Sequence, residues 1–143
     1  MKNMTRELLE QRTKQFHIDV IRLCRNLPRD AAGYETAKQV IRSAGSVGAN
    51  YRATRRAKSD DDFLYKMEVV LEEADESHYW LQVIYECGMD QSPETLRLIG
   101  EANELTAIFA AVCKTKSEKL EKRPKSARIK RPGKTPPPGK SEI

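Results

Sequence analysis

The chain has 143 residues, of which 33% are charged and 6% aromatic, and its net charge is +5. That length suits one domain and is short for two, and the composition suits helices more than sheets. No apolar run reaches the roughly 18 residues of a membrane span. The three cysteines, Cys24, Cys87 and Cys113, are too few and too scattered for a disulfide framework. They read as small buried residues of a reduced, cytoplasmic protein.

The N-terminal stretch MKNMTRELLEQRTKQ has no apolar core and predicts no signal peptide. A first helix is expected from Thr5, which can cap it, to Leu27, where Pro28 stops it. Phe16, Val20, Leu23 and Leu27 form its apolar stripe, joined by Leu9, Ile21 and Cys24. A short turn through Gly33 leads into a second helix over 32–57. Its apolar positions Ala37, Val40, Ile41, Ala44, Val47 and Tyr51 are three and four apart and share one face. Ser43, Ser46, Asn50, Ala53 and Ala57 make a small-residue face that another helix can approach closely. Lys38, Arg42, Arg52 and Arg56 line a third side, with Gly45 and Ala49 low between them. Gly45 and Gly48 each cost about 1 kcal/mol in a helix interior, so packing must compensate for them.

Ser59 is placed to cap a third helix, and Asp60, Asp61 and Asp62 complement its positive dipole end. Phe63, Met67, Val70, Ala74, Leu81 and Tyr85 are expected to be its core stripe, widened by Leu64, Leu71 and His78. Tyr65, Val69, Trp80 and Val83 lie on roughly the opposite side. Two apolar faces are more than one neighbouring helix covers, so these four residues are candidates for an oligomer interface. Gly88 suits a left-handed C-terminus. Ser92-Pro93-Glu94 opens a fourth helix with a cap, a proline in the first turn and an acid. Its stripe is Leu98, Ala102, Leu105, Phe109 and Val112, and it fades over 117–120. Short connections make sequential helices antiparallel neighbours. The fold expected is therefore all-α: an up-down four-helix bundle over 1–121, followed by a flexible tail over 122–143.

The tail explains the net charge. Lys122, Arg123, Lys125, Arg128, Lys130, Arg131, Lys134 and Lys140 stand against Glu142 alone, giving the tail +7 and the first 121 residues −2. Five prolines among these cations after Arg123 cannot bury a core, and such a tail most often meets nucleic acid.

Catalytic chemistry finds little support. His17 and His78 are the only histidines. No cysteine pair has metal-ligand spacing, and no nucleophile sits in an elbow or triad context. Gly133-Lys134-Thr135 and Gly139-Lys140-Ser141 resemble pieces of a phosphate loop, but prolines fill it and neither strand nor helix flanks it. Glu72, Glu73, Asp75 and Glu76 form an acidic cluster that reads as a solvated or ion-paired helix face. Neither a cofactor nor a metal is expected, and the chain reads as a non-enzyme. What remains is basic: Lys38, Arg42, Arg52, Arg55 and Arg56 on the second helix, with Lys58 beyond, present guanidinium forks that match phosphate geometry.

Gln39, Arg42, Ser43-Ala44, Ser46-Val47 and Ala49-Asn50, then Asp62-Phe63-Leu64 and Glu72-Glu73-Ala74-Asp75-Glu76, resemble a known family. It is the four-helix-bundle family whose founding members are encoded in intervening sequences of 23S ribosomal RNA genes. The resemblance covers about Phe16 to Val112. Tyr51-Arg52-Ala53 stands where the family usually has an acidic-glycine pair. The resemblance implies a ring-like homo-oligomer, a pentamer, and it extends to accessory proteins of diversity-generating retroelements. Two binding functions follow. One is an oligomeric bundle that binds nucleic acid, RNA in preference to DNA, through helix-two cations and the tail. The other is a retroelement accessory protein that binds a reverse transcriptase and its template RNA.

Overall fold

The computed structural model describes residues 4–124 and Ser126. Four helices, α1 (Arg6–Cys24), α2 (Ala31–Ala53), α3 (Asp60–Glu86) and α4 (Pro93–Glu121), form an antiparallel up-down bundle, and a 3-10 turn over Thr54–Arg56 follows α2. No strand occurs among the described residues. Every helix begins where a short polar side chain can take an orphan amide. The side chains of Thr5, Asp30, Ser59 and Ser92 accept from the N–H groups of Leu8, Gly33, Asp62 and Thr95 respectively. Each such cap contributes about 1 kcal/mol.

Two helices, α1 and α2, end earlier than the sequence suggests. α1 stops at Cys24, because the last turn tightens: Asn26 N–H reaches Leu23 C=O and Leu27 N–H reaches Cys24 C=O. Leu27 nevertheless stays buried. α2 stops at Ala53 instead of running to Ala57. The Thr54 hydroxyl donates to the Tyr51 carbonyl at 2.6 Å, and the Arg6 guanidinium donates to the same carbonyl and to Thr54 Oγ1. Side chains thus satisfy the carbonyl that would have continued the helix. At the other end of α2, Gly33 meets backbone. A Cβ there would lie 1.9 Å from the Pro28 carbonyl oxygen, so no larger residue fits the turn between α1 and α2. Gly88 closes α3 with φ +82 and lets Met89 N–H reach Ile84 C=O.

Buried positions repeat at three and four: Leu9, Thr13, Phe16, Val20, Leu23 and Leu27 on the α1 side; Val40, Ser43, Val47 and Tyr51 on α2; Leu64, Met67, Val70, Ala74, Ser77, Leu81 and Ile84 on α3; Leu98, Ala102, Leu105, Phe109 and Cys113 on α4. This is the alternation that lets left-handed bundles interdigitate. It corrects the α3 stripe. Leu64 and Ile84 are core, while Phe63, Leu71, His78 and Tyr85 are only half-buried. Phe63 and Tyr85 sit in the first and last turns, where the bundle runs out of facing layers. Ser43 and Ser77 are buried at the α2–α3 contact, and their hydroxyls bond each other at 2.9 Å. Consecutive helices pack closely, and α1 and α4 close the ring with the sparsest contact. Of the cysteines, Cys113 is buried, Cys24 half-buried and Cys87 exposed, which corrects the expectation for Cys87. Burial pushes the Cys24 thiol up to about 11.

Candidate functional site

The up-down topology gathers charge. The start of α1, the end of α2, the start of α3 and the end of α4 share one end of the bundle. Contacts fix that arrangement: Arg6 reaches the Tyr51 carbonyl, Lys116 pairs with Asp60, and Arg123 pairs with Asp61. Here stand Arg6, Arg52, Arg55, Arg56, Lys58, Lys66, Lys114, Lys116, Lys119, Lys122 and Arg123. Against them are Glu7, Glu10, Asp60, Asp61, Asp62, Glu118 and Glu121. The remaining length of the bundle is acidic: thirteen carboxylates face eight cations over 11–50 and 67–113. The bundle is polarised along its axis, and the basic tail begins at its basic end.

The predicted basic residues divide into two groups. Arg42 donates to Glu73 at 3.1 Å and also pairs with Glu76, although its side chain remains 48% exposed. Burial pushes the Glu73 carboxyl up, and Arg42 opposes the shift. The acidic cluster is thus partly a structural clamp between α2 and α3. Arg55 pairs with Glu10 on α1. Lys38, Arg52 and Arg56 are exposed and have no ion-pair partner among the described residues. Lys38 is separated from Arg52 by fourteen positions of α2, about 21 Å along the axis. Of the five cations predicted on the second helix, only Arg52, Arg55 and Arg56 therefore belong to the basic end.

Arg123 departs from expectation. Its sequence context is that of the tail, but it forks onto Asp61 at 2.9 and 3.2 Å and donates to Leu120 C=O at 3.0 Å. The Asp61 side chain is 4% exposed, so this fork is a latch joining α4 to α3. Lys122 is exposed and caps α4. Lys125, Arg128, Lys130, Arg131 and Lys134 lie outside the described residues.

The low middle of the basic side of α2 opens onto α1. A Cβ on Gly45 would meet the His17 ring at 2.9 Å, and one on Gly48 would lie 3.5 Å from Thr13. A groove of about 520 Å³ runs there, with Gln11, Lys14 and His17 on one wall and Ala49, Arg52 and Arg55 on the other. The interface candidates Tyr65, Val69, Trp80 and Val83 are all half-buried in the single chain. Trp80 Nε1 is buried with no hydrogen-bond partner among the described residues. The sequence reading missed its neighbour Tyr79, which is 57% exposed and meets Trp80 edge-to-face at 5.1 Å. An aromatic next to Trp80 on an outer helix face was the available signal. Among the described residues, no group of three His, Cys, Asp or Glu could hold a metal, and no helix is long and apolar enough to cross a membrane.

The fold and the charged clamp between α2 and α3 define a four-helix-bundle protein. The chain belongs to the 23S rRNA-intervening sequence protein family, whose profile matches residues 8–111. It is similar to a crystal structure of a protein of unknown function from Bacteroides thetaiotaomicron VPI-5482, of the S23 ribosomal protein family. That likeness has 25% identity and a TM-score of 0.68, and covers 73% of this chain and 97% of that one. No curated protein matches the chain.

Proposed function

We propose that this protein is a non-enzymatic, self-associating bundle that binds nucleic acid, RNA in preference to DNA, at its basic end. The observation that supports it is the axial separation of charge, with Arg52, Arg56 and Lys58 left without ion-pair partners among the described residues where the cationic tail begins. Such a surface attracts a phosphate backbone with little regard to sequence. The family's name, which refers to an rRNA intervening sequence, favours RNA. Self-association rests on Trp80 and Tyr79, since aromatic residues of this kind anchor interfaces.

The test separates ligand-facing from structural arginines. Arg52→Gln with Arg56→Gln should weaken RNA binding in a fluorescence-anisotropy titration and reduce the salt slope by about 2. The melting temperature should stay nearly unchanged, because neither residue has a carboxylate to leave unpaired. Arg42→Gln should do the reverse, lowering stability by about 1 kcal/mol through its half-exposed pairs while binding persists. A double variant that melts early but binds RNA as tightly as the parent would refute the binding role of these arginines.

A further inference from the structure

We propose that Phe63 forms one wall of a subsite for a single unpaired RNA base. This inference rests on the nucleic-acid-binding reading above and names where a nucleobase, rather than the phosphate backbone, would be held. Phe63 is the one aromatic side chain of the basic end that two clefts share. One cleft, of about 350 Å³, lies between Phe63 and the Ala111–Val112 stretch of α4, with Lys116 and Lys119 on its rim. The second, of about 490 Å³, lies on the other side of Phe63 and Lys116, under the 3-10 turn and beside Lys58.

The chemistry of the walls is that of single-strand recognition: an aromatic face for the base, apolar methyl groups beside it, and cations at the mouth for the flanking phosphates. Phe63 is half-buried because the α3 core layer ends beneath it. Its ring already carries a cation, with Lys116 Nζ 5.4 Å from the centroid. Lys116 also pairs with Asp60 at 2.7 Å, so the ammonium is held across the ring and can turn toward a phosphate as a base enters. Among the described residues Asp60 is the one carboxylate lining either cleft, and it lies in the second, which makes the first the better seat for the base. A second copy of this chain is the poorer occupant. Two such ends meeting symmetrically would set Lys58, Lys116 and Lys119 of each copy against their own like charges.

The test uses the full chain and two ligands of equal phosphate number, a single-stranded RNA and an RNA duplex. Phe63→Leu keeps an apolar side chain but removes the stacking face. It should weaken single-strand binding by roughly tenfold and leave duplex binding unchanged. Phe63→Tyr should retain the wild-type affinity for both, and it guards against a packing defect read as lost recognition. Single-stranded RNA carrying iodouridine, irradiated in the complex, should crosslink within α3 at Phe63. If wild-type protein binds both RNAs with a steep salt dependence, but Phe63→Leu binds both equally well and the crosslink maps elsewhere, the subsite is overturned and the binding function stands. If the wild-type protein binds neither RNA at low salt, both fall. If Phe63→Leu instead changes the sedimentation coefficient and leaves RNA affinity untouched, the cleft is an interface between copies and the subsite is overturned.

Discussion

Cutting the chain after Arg123 should lower its affinity for single-stranded RNA by roughly a hundredfold or more at low salt. The cut removes six cations, Lys125, Arg128, Lys130, Arg131, Lys134 and Lys140, and keeps the Arg123–Asp61 latch that closes the bundle. Each phosphate neutralised on single-stranded nucleic acid contributes about −0.7 to the slope of log K against log salt, so the slope should flatten by up to about 4. In the sequence, prolines and glycines separate these cations, a pattern suited to contacting phosphates rather than base edges. The loss should therefore be similar for all sequences. The melting temperature should not move, since every buried residue of the described bundle remains. A truncated protein that keeps both affinity and salt slope would reduce the tail to a linker. A cut one residue earlier is the instructive control. Without Arg123 the Asp61 carboxylate is left buried, and stability should fall by about 2 kcal/mol.

The second large effect concerns assembly. Trp80→Glu should convert a multimer into a smaller species in analytical ultracentrifugation, raising the dissociation constant by roughly thirtyfold or more, about 2 kcal/mol. The indole is half-buried in one chain, beside the exposed ring of Tyr79, and its Nε1 has no acceptor there. A neighbouring subunit can bury the remaining area and supply the acceptor. Wild-type protein that sediments as a monomer at micromolar concentration would end this account. Tyr79→Ser should weaken association in the same direction while leaving the core intact.

Much of the fold was legible because the core rule is local. Spacings of three and four placed Phe16, Val40, Val70, Leu98 and Phe109 correctly inside, and Ser59 and Ser92 announced their helix starts through side-chain chemistry alone. The ends of α1 and α2 were not legible. What ends α2 is Arg6, which reaches Thr54 across 48 positions of sequence, and no window on α2 contains it. The family signature behaves similarly. Arg42, Ser43, Glu73 and Glu76 prove to be partners across the α2–α3 contact, and Ser43 meets Ser77 in its middle. The motif therefore reports how two helices fit together more than what the protein binds. That is why it identified the architecture well. The candidate basic residues divide into paired and unpaired for a related reason. Their periodicity gave the side of α2 they share, but only the opposing helix decides which of them meets a carboxylate. Arg123 is the clearest case, since its composition is that of the tail and its contact is that of the core.

The ring of helices does not close uniformly. Between α1 and α4 the joint is made largely by guanidinium–carboxylate forks: Arg12 bonds Glu101 at 2.6 and 2.8 Å and meets Glu104 at 2.9 Å, and Arg97 reaches Asp19 at 2.8 Å. Opening that joint exchanges these pairs for hydration, whereas parting α3 from α4 would expose a continuous apolar layer. Local unfolding follows the less costly route. Amide protons of α1 should then exchange with solvent through partial openings, while those of α3 wait for the whole bundle to come apart. That pattern would mark α2, α3 and α4 as the cooperative unit, with α1 as its detachable stave.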